Sequence, residues 1–118
     1  MPTAPDFRSR SFAFACNIVR LYQALLPIAP PHLARQVLRS GTSIGANLEE
    51  AKTAQSRRDL IAKFSIALKE ARETSYWLRL LTATSIAPTA LVIEPLTEVN
   101  ELIAVLTTSV RHLKQDRV

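Results

Sequence analysis

Ten carboxylates, two histidines and one cysteine are the side chains here that could serve as metal ligands, bases or nucleophiles. A di-metal site in a helical bundle draws glutamates from facing helices and a Glu-x-x-His pair from two of them. No Glu-x-x-His occurs: His32 lies beside Pro30 and Pro31, His112 lies close to the last residue, and neither has a glutamate one turn away on its own face. There is no Gly-x-Ser-x-Gly, no phosphate-binding glycine loop and no Cys-x-x-Cys. Cys16, among Phe12, Ala15, Ile18 and Val19, reads as a small buried hydrophobe rather than a nucleophile. The pattern argues against an enzyme and calls for no metal and no cofactor. A single cysteine also rules out an intrachain disulfide, which suits a reducing compartment.

The remaining polar residues of interest need helices to position them. Pro31 and Pro88 enclose a proline-free stretch rich in Ala, Leu, Arg, Lys and Glu, which favours helix. Residues 1–6 read as a disordered lead. A first helix is expected over about 7–26, with Phe12, Ala15, Ile18, Val19, Tyr22, Leu25 and Leu26 as its apolar set. Pro27 ends it, and Pro31 suits the first turn of a second helix over about 31–54. That helix has a seam of Val37, Gly41, Ile44, Leu48 and Ala51. A third helix over about 57–82 opens on Ser56 and Asp59, which resemble a capping box, and has a seam of Leu60, Phe64, Ala67, Ala71, Thr74, Leu78 and Leu81. The fourth, over about 94–114 after a short lead-in turn, has the cleanest seam: Val92, Leu96, Val99, Ile103, Leu106, Val110 and Leu113. Four such helices with short connectors form one all-α domain over residues 7–115, an antiparallel up-down-up-down four-helix bundle. Seams of period about 3.5 predict crossings near 20°.

Three groups on these helices ask for an explanation. Gly41 and Gly45, the only glycines, lie one turn apart inside a helix, where each costs about 1 kcal/mol relative to alanine. A close helix–helix approach explains them; a hinge or a ligand approach is the alternative. Ser40, Ser43, Asn47 and Glu50 form a polar stripe beside the apolar seam; Ser43, Asn47 and Glu50 come to the fore with Glu73, which lies midway along the third helix. They fit a buried polar network that fixes register, or a contact between subunits. Tyr76 and Trp77 point about 100° apart, so that one can join the core while the other anchors an interface.

The chain carries a formal net charge of +5 and a pI near 10.0, which favours anionic partners. Its basic residues include Arg57, Arg58, Lys63, Lys69, Arg72 and Arg79, with Arg111, Lys114 and Arg117 towards the end. Lys69, Arg72, Tyr76 and Arg79 share one helical face. A basic stripe with an aromatic can track a phosphate backbone; a solvated face with intrahelical pairs is the plain alternative. No apolar run reaches the length of a membrane span, and Met1 to Arg10 lacks the apolar region of a signal peptide. A cytoplasmic protein with no membrane partner is expected.

The stretch from Arg39 to Ala51, with Ser43, Ile44, Asn47, Leu48, Glu50 and Ala51 at the diagnostic places, resembles the signature of bacterial four-helix bundle proteins related to the 23S rRNA intervening-sequence protein. Ala51 departs from the usual glycine. Similar segments run from Phe64 to Thr74, from Tyr76 to Leu81 and from Glu101 to Val110, so the resemblance spans about residues 10–115. It implies a bundle that assembles into a homo-oligomeric ring, typically a pentamer, without enzyme activity. Some members are encoded in insertions within ribosomal RNA genes. A related branch is the accessory subunit of diversity-generating retroelements, where a basic pentamer binds a reverse transcriptase and nucleic acid. The expected function is therefore a non-catalytic oligomeric scaffold that binds RNA or DNA, or a nucleoprotein partner, with Arg57, Arg58, Lys63, Lys69, Arg72 and Arg79 as phosphate contacts. The alternative is a module that binds only protein.

Overall fold

Four helices account for the chain in a computed structural model that describes residues 6–115: α1 (Phe7–Leu25), α2 (Pro31–Ala51), α3 (Arg57–Ala83) and α4 (Thr89–Gln115). Local chemistry sets most of their ends. Asp6, assigned to the lead by its sequence, is instead the N-cap of α1, its Oδ1 accepting from the Arg8 backbone N–H at 3.2 Å. The rest of that lead lies outside the described residues. Pro31 starts α2, where its missing N–H is no loss. Ser56 Oγ accepts from Asp59 N–H at 3.0 Å, and Asp59 Oδ2 accepts in return from Gln55 N–H at 3.1 Å. The reciprocal bond thus reaches one residue further back than in a capping box.

The C-terminus of α3 closes with Ser85 in the left-handed region, φ 59°. The Ile86 N–H donates to Leu81 C=O and the Ser85 N–H to Thr82 C=O, both at 3.0 Å. These two bonds satisfy carbonyls that the end of the helix would leave open. α4 begins at Thr89, ahead of the expected 94, so Pro95 lies inside the helix rather than at its first turn. Pro95 has no N–H to give the Leu91 carbonyl. The fully buried Val92, with Leu91 and Leu96 packed on the core, holds the leading turns in line instead.

α1 packs beside α2, α2 beside α3 and α3 beside α4, while α4 closes onto α1 across the thinnest of the four seams. Every neighbour pair is antiparallel. Gly41 and Gly45 of α2 meet Ile18 and Ser11 of α1 in reverse order, and Ser75 and Arg57 of α3 meet Asn100 and Leu113 of α4. This is the up-down-up-down bundle. Its centre is filled by Phe14, Ile18 and Leu25, by Ile44 and Leu48, by Leu78 and Leu81, and by Val99, Leu102 and Leu106, all essentially inaccessible. Across the diagonal, Phe7 meets Phe64 edge-on with ring centroids 5.7 Å apart.

α1 is rotated from its expected setting. It turns Ser11, Phe14, Ile18, Leu21 and Leu25 inward, while Phe12 (71%), Val19 (42%) and Leu26 (48%) stay exposed. The helix carries two adjacent apolar stripes, and hydrophobic spacing alone does not rank them. The inner stripe has the small Ser11, whose backbone comes against Gly45. Cys16, expected to be buried, is only half-buried in this setting.

Candidate functional site

Two surfaces collect the polar residues. The first is the seam between α2 and α3. At its core the Ser40 and Thr74 hydroxyls, both fully buried, bond at 2.9 Å. Further out, Arg39 forks to two carboxylates one turn apart on α3, reaching Glu70 at 3.1 Å and pairing closely with Glu73. Glu73 Oε2 also accepts from Trp77 Nε1 at 3.0 Å. Trp77 packs partly against the core while Tyr76 stays half exposed beside it, the rings edge-to-face at 5.1 Å.

Ser43 and Asn47 spend their bonds within α2. The Ser43 hydroxyl donates to the Arg39 carbonyl at 2.7 Å, and Asn47 Nδ2 donates to the Ser43 carbonyl at 2.8 Å. Glu50 is exposed and pairs with Lys63 at 2.8 Å. That bond, followed by the charge of Glu50, raises the Lys63 amine above its usual value. Glu73 is therefore tied to Arg39 and Trp77 rather than to Ser43, Asn47 and Glu50, and no single buried network joins the four.

Gly41 and Gly45 lie on the other side of α2, against α1. A Cβ on Gly41 would fall 2.8 Å from Cγ1 and Cγ2 of Ile18, and one on Gly45 would fall 3.3 Å from the Ser11 carbonyl oxygen. The glycines let the two backbones approach.

The second surface is the outer side shared by α3 and α4. Both helices turn their acidic residues away from it. Glu70 and Glu73 face α2 through Arg39, and Asp59 folds back on Gln55. Glu98 and Glu101 face α1 through Arg10, at 3.2 and 2.7 Å, and Glu94 lines the same α1–α4 groove. The cations go the other way. Among the described residues Arg58, Lys69, Arg72 and Arg79 of α3 and Arg111 and Lys114 of α4 enter no salt bridge. Most cations elsewhere do: Arg8, Arg10, Arg39, Lys52 and Lys63 each hold a carboxylate. Arg79 lies 6.0 Å from the centre of the Tyr76 ring. Arg57 donates to the Leu113 carbonyl at 3.2 Å, at the C-terminal end of α4.

Of the six cations singled out in the sequence, the structure brings Arg58, Lys69, Arg72 and Arg79 together, with Arg57 at one end. It separates Lys63, which lies on the α2 side of α3 with its charge against Glu50. Arg111 and Lys114 join the face from α4; projecting α4 at about 100° per residue puts them on the Asn100 side and could have found them. Arg39, whose carboxylate partners are 31 and 34 positions away, had no local signal. Arg117 lies outside the described residues.

Among the described residues no group of three His, Cys, Asp or Glu could hold a metal ion, and no helix is long and apolar enough to cross a membrane. The fold is that of a small all-α four-helix bundle protein, with charges paired on two seams and six cations without a salt bridge on a third. Residues 6–108 match the family of the 23S rRNA-intervening sequence protein. The chain belongs to that family. It is similar to a crystal structure of a protein of unknown function from the S23 ribosomal protein family of Bacteroides thetaiotaomicron, with 42% identity and a TM-score of 0.80 over 87% of this chain and 96% of that one. No relative matches among the curated proteins.

Proposed function

We propose that this protein is a non-catalytic, self-assembling helical scaffold of the cytoplasm that binds RNA, or a nucleoprotein partner such as a reverse transcriptase with its nucleic acid, through the α3/α4 face. The observation that carries this reading is the sorting of charge. Six cations without a salt bridge share a face from which the acidic residues of α3 and α4 are turned away. Cations left free of carboxylates keep their full attraction for phosphate, whereas a paired cation must first give up its partner. From Arg58 to Arg79 the row extends for about 30 Å at the rise of an α-helix.

Self-assembly is supported by the exposed Phe12 and Val19 of α1 and Leu26 at its C-cap, which recur every seven residues and so fall along one side of the helix. A homo-oligomeric ring, with five subunits as the resemblance implies, would repeat the cationic face around its circumference. The second reading, a module that binds only protein, draws on the same stripe together with Tyr76 as anchor.

Light scattering coupled to size exclusion, at low and high salt, with and without a short stem–loop RNA, tests the proposal. A ring-sized species that gains mass with RNA only at low salt supports it. A species indifferent to RNA at either salt concentration overturns the nucleic-acid reading and leaves the protein-only one.

A further inference from the structure

Tyr76 stands on α3 one turn after Arg72 and one turn before Arg79, and half of its surface is open to solvent. The ring is braced. Trp77 meets it edge-to-face at 5.1 Å, Trp77 is fixed by its N–H to Glu73, and Glu73 is fixed by Arg39 from α2. A chain of contacts ending on a neighbouring helix thus orients an exposed aromatic, and ordering it on binding costs little entropy. The Arg79 guanidinium lies over one face of the ring, 6.0 Å from its centre, and is itself a flat cationic surface on which a base can stack in place of, or on top of, that contact. Bases in a duplex stack on one another and offer only their edges in the grooves, whereas an unpaired base offers its face.

We propose that Tyr76 is a base-stacking site, and that the α3/α4 face takes single-stranded nucleic acid, with Lys69, Arg72 and Arg79 on its phosphates. This inference rests on the nucleic-acid reading above and adds the form of the ligand.

The test is fluorescence anisotropy at low salt with a labelled single strand of about 12 nucleotides, within the range such surfaces cover, and with the duplex of the same sequence. The single strand is expected to bind the tighter of the two. Tyr76→Ala is expected to weaken single-strand binding about tenfold while leaving duplex binding alone, and Tyr76→Trp to restore it. Trp77 is the only tryptophan, so its emission should respond to the single strand in the parent protein and not in Tyr76→Ala. Photocrosslinking with a 5-iodouracil strand should map to Tyr76. Equal or tighter duplex binding overturns the proposal, as does unchanged single-strand binding in Tyr76→Ala. A change in assembly mass in Tyr76→Ala, with unchanged single-strand binding, overturns it in favour of an interface anchor. If Arg72→Glu/Arg79→Glu abolishes binding while Tyr76→Ala does nothing, the nucleic-acid reading stands and the stacking site falls. If neither strand binds in a salt-dependent way, both fall.

Discussion

Gly41 of α2 lies directly on Ile18 of α1, so close that a Cβ at position 41 would sit 2.8 Å from two carbons of the isoleucine side chain. Ile18 is fully buried, and its β-branched side chain is stiff at χ1, so it does not swing aside cheaply. Alanine at 41 would gain about 1 kcal/mol of helix propensity, yet overpacking at a rigid site costs about 1–3 kcal/mol. Gly41→Ala is therefore expected to lower stability, read as a lower midpoint in urea with an unchanged slope. Gly45→Ala, where the nearest atom is 3.3 Å away, should be the milder of the two. A Gly41→Ala protein as stable as the parent would refute the packing account.

The exposed stripe on α1 makes a separate prediction. Val19→Asp places a charge in the middle of it, on a side chain that contributes little to the bundle core. Sedimentation should show smaller species at unchanged helical content. If the mass does not change, assembly uses another face.

Charge sorting predicts that two kinds of cation on α3 behave differently. Arg72→Glu combined with Arg79→Glu should weaken binding to a polyanion and flatten its salt dependence, by roughly 1.5 in the logarithmic slope for two lost phosphate contacts. Lys63→Ala should leave both nearly unchanged, since Lys63 is held by Glu50. Equal losses in the two variants, in a titration at several salt concentrations, would mean that the face is not distinct.

At the end of α3, Ser85 occupies a backbone region in which a side chain is strained by about 1 kcal/mol. Ser85→Gly relieves that strain and adds chain entropy to the unfolded state. The net expectation is a gain of about 0.5 kcal/mol, seen as a small rise in Tm. A fall in Tm would show that the Ser85 side chain contributes something its geometry does not reveal.

How far the sequence could be read differs from element to element. The inner face of α2 was legible because one apolar seam, Val37, Ile44 and Leu48, stands beside a plainly polar one. α1 was not, because Phe12–Val19–Leu26 and Phe14–Leu21–Leu25 are both apolar at helical spacing, and only the fit of Ser11 against Gly45 separates them. Spacing puts the start of α4 too late because Pro95 ordinarily marks a first turn, and the burial of Val92 that overrides it is tertiary. Of the site, Lys69, Arg72, Tyr76 and Arg79 could be grouped by spacing alone. That Lys63 is paired and Arg72 is not depends on which helix lies alongside, and Arg39 meets Glu73 across 34 positions of chain. Periodicity gives faces; partners come only from the packing of one helix on another.

Pro95 has a consequence for how the bundle comes apart. It interrupts the hydrogen-bond ladder of α4 within the second turn, and the lead from Thr89 to Glu94 lies partly along the thin α4–α1 seam. A helix segment cut off from its ladder depends on tertiary packing, here chiefly the buried Val92, and is the first internal unit of α4 expected to open. Its amide protons should exchange through a local opening of low free energy, while those of the α2–α3 pair wait for global unfolding. On this expectation the α2–α3 pair is the firm part of the bundle and the end of α4 that begins at Thr89 is its clasp.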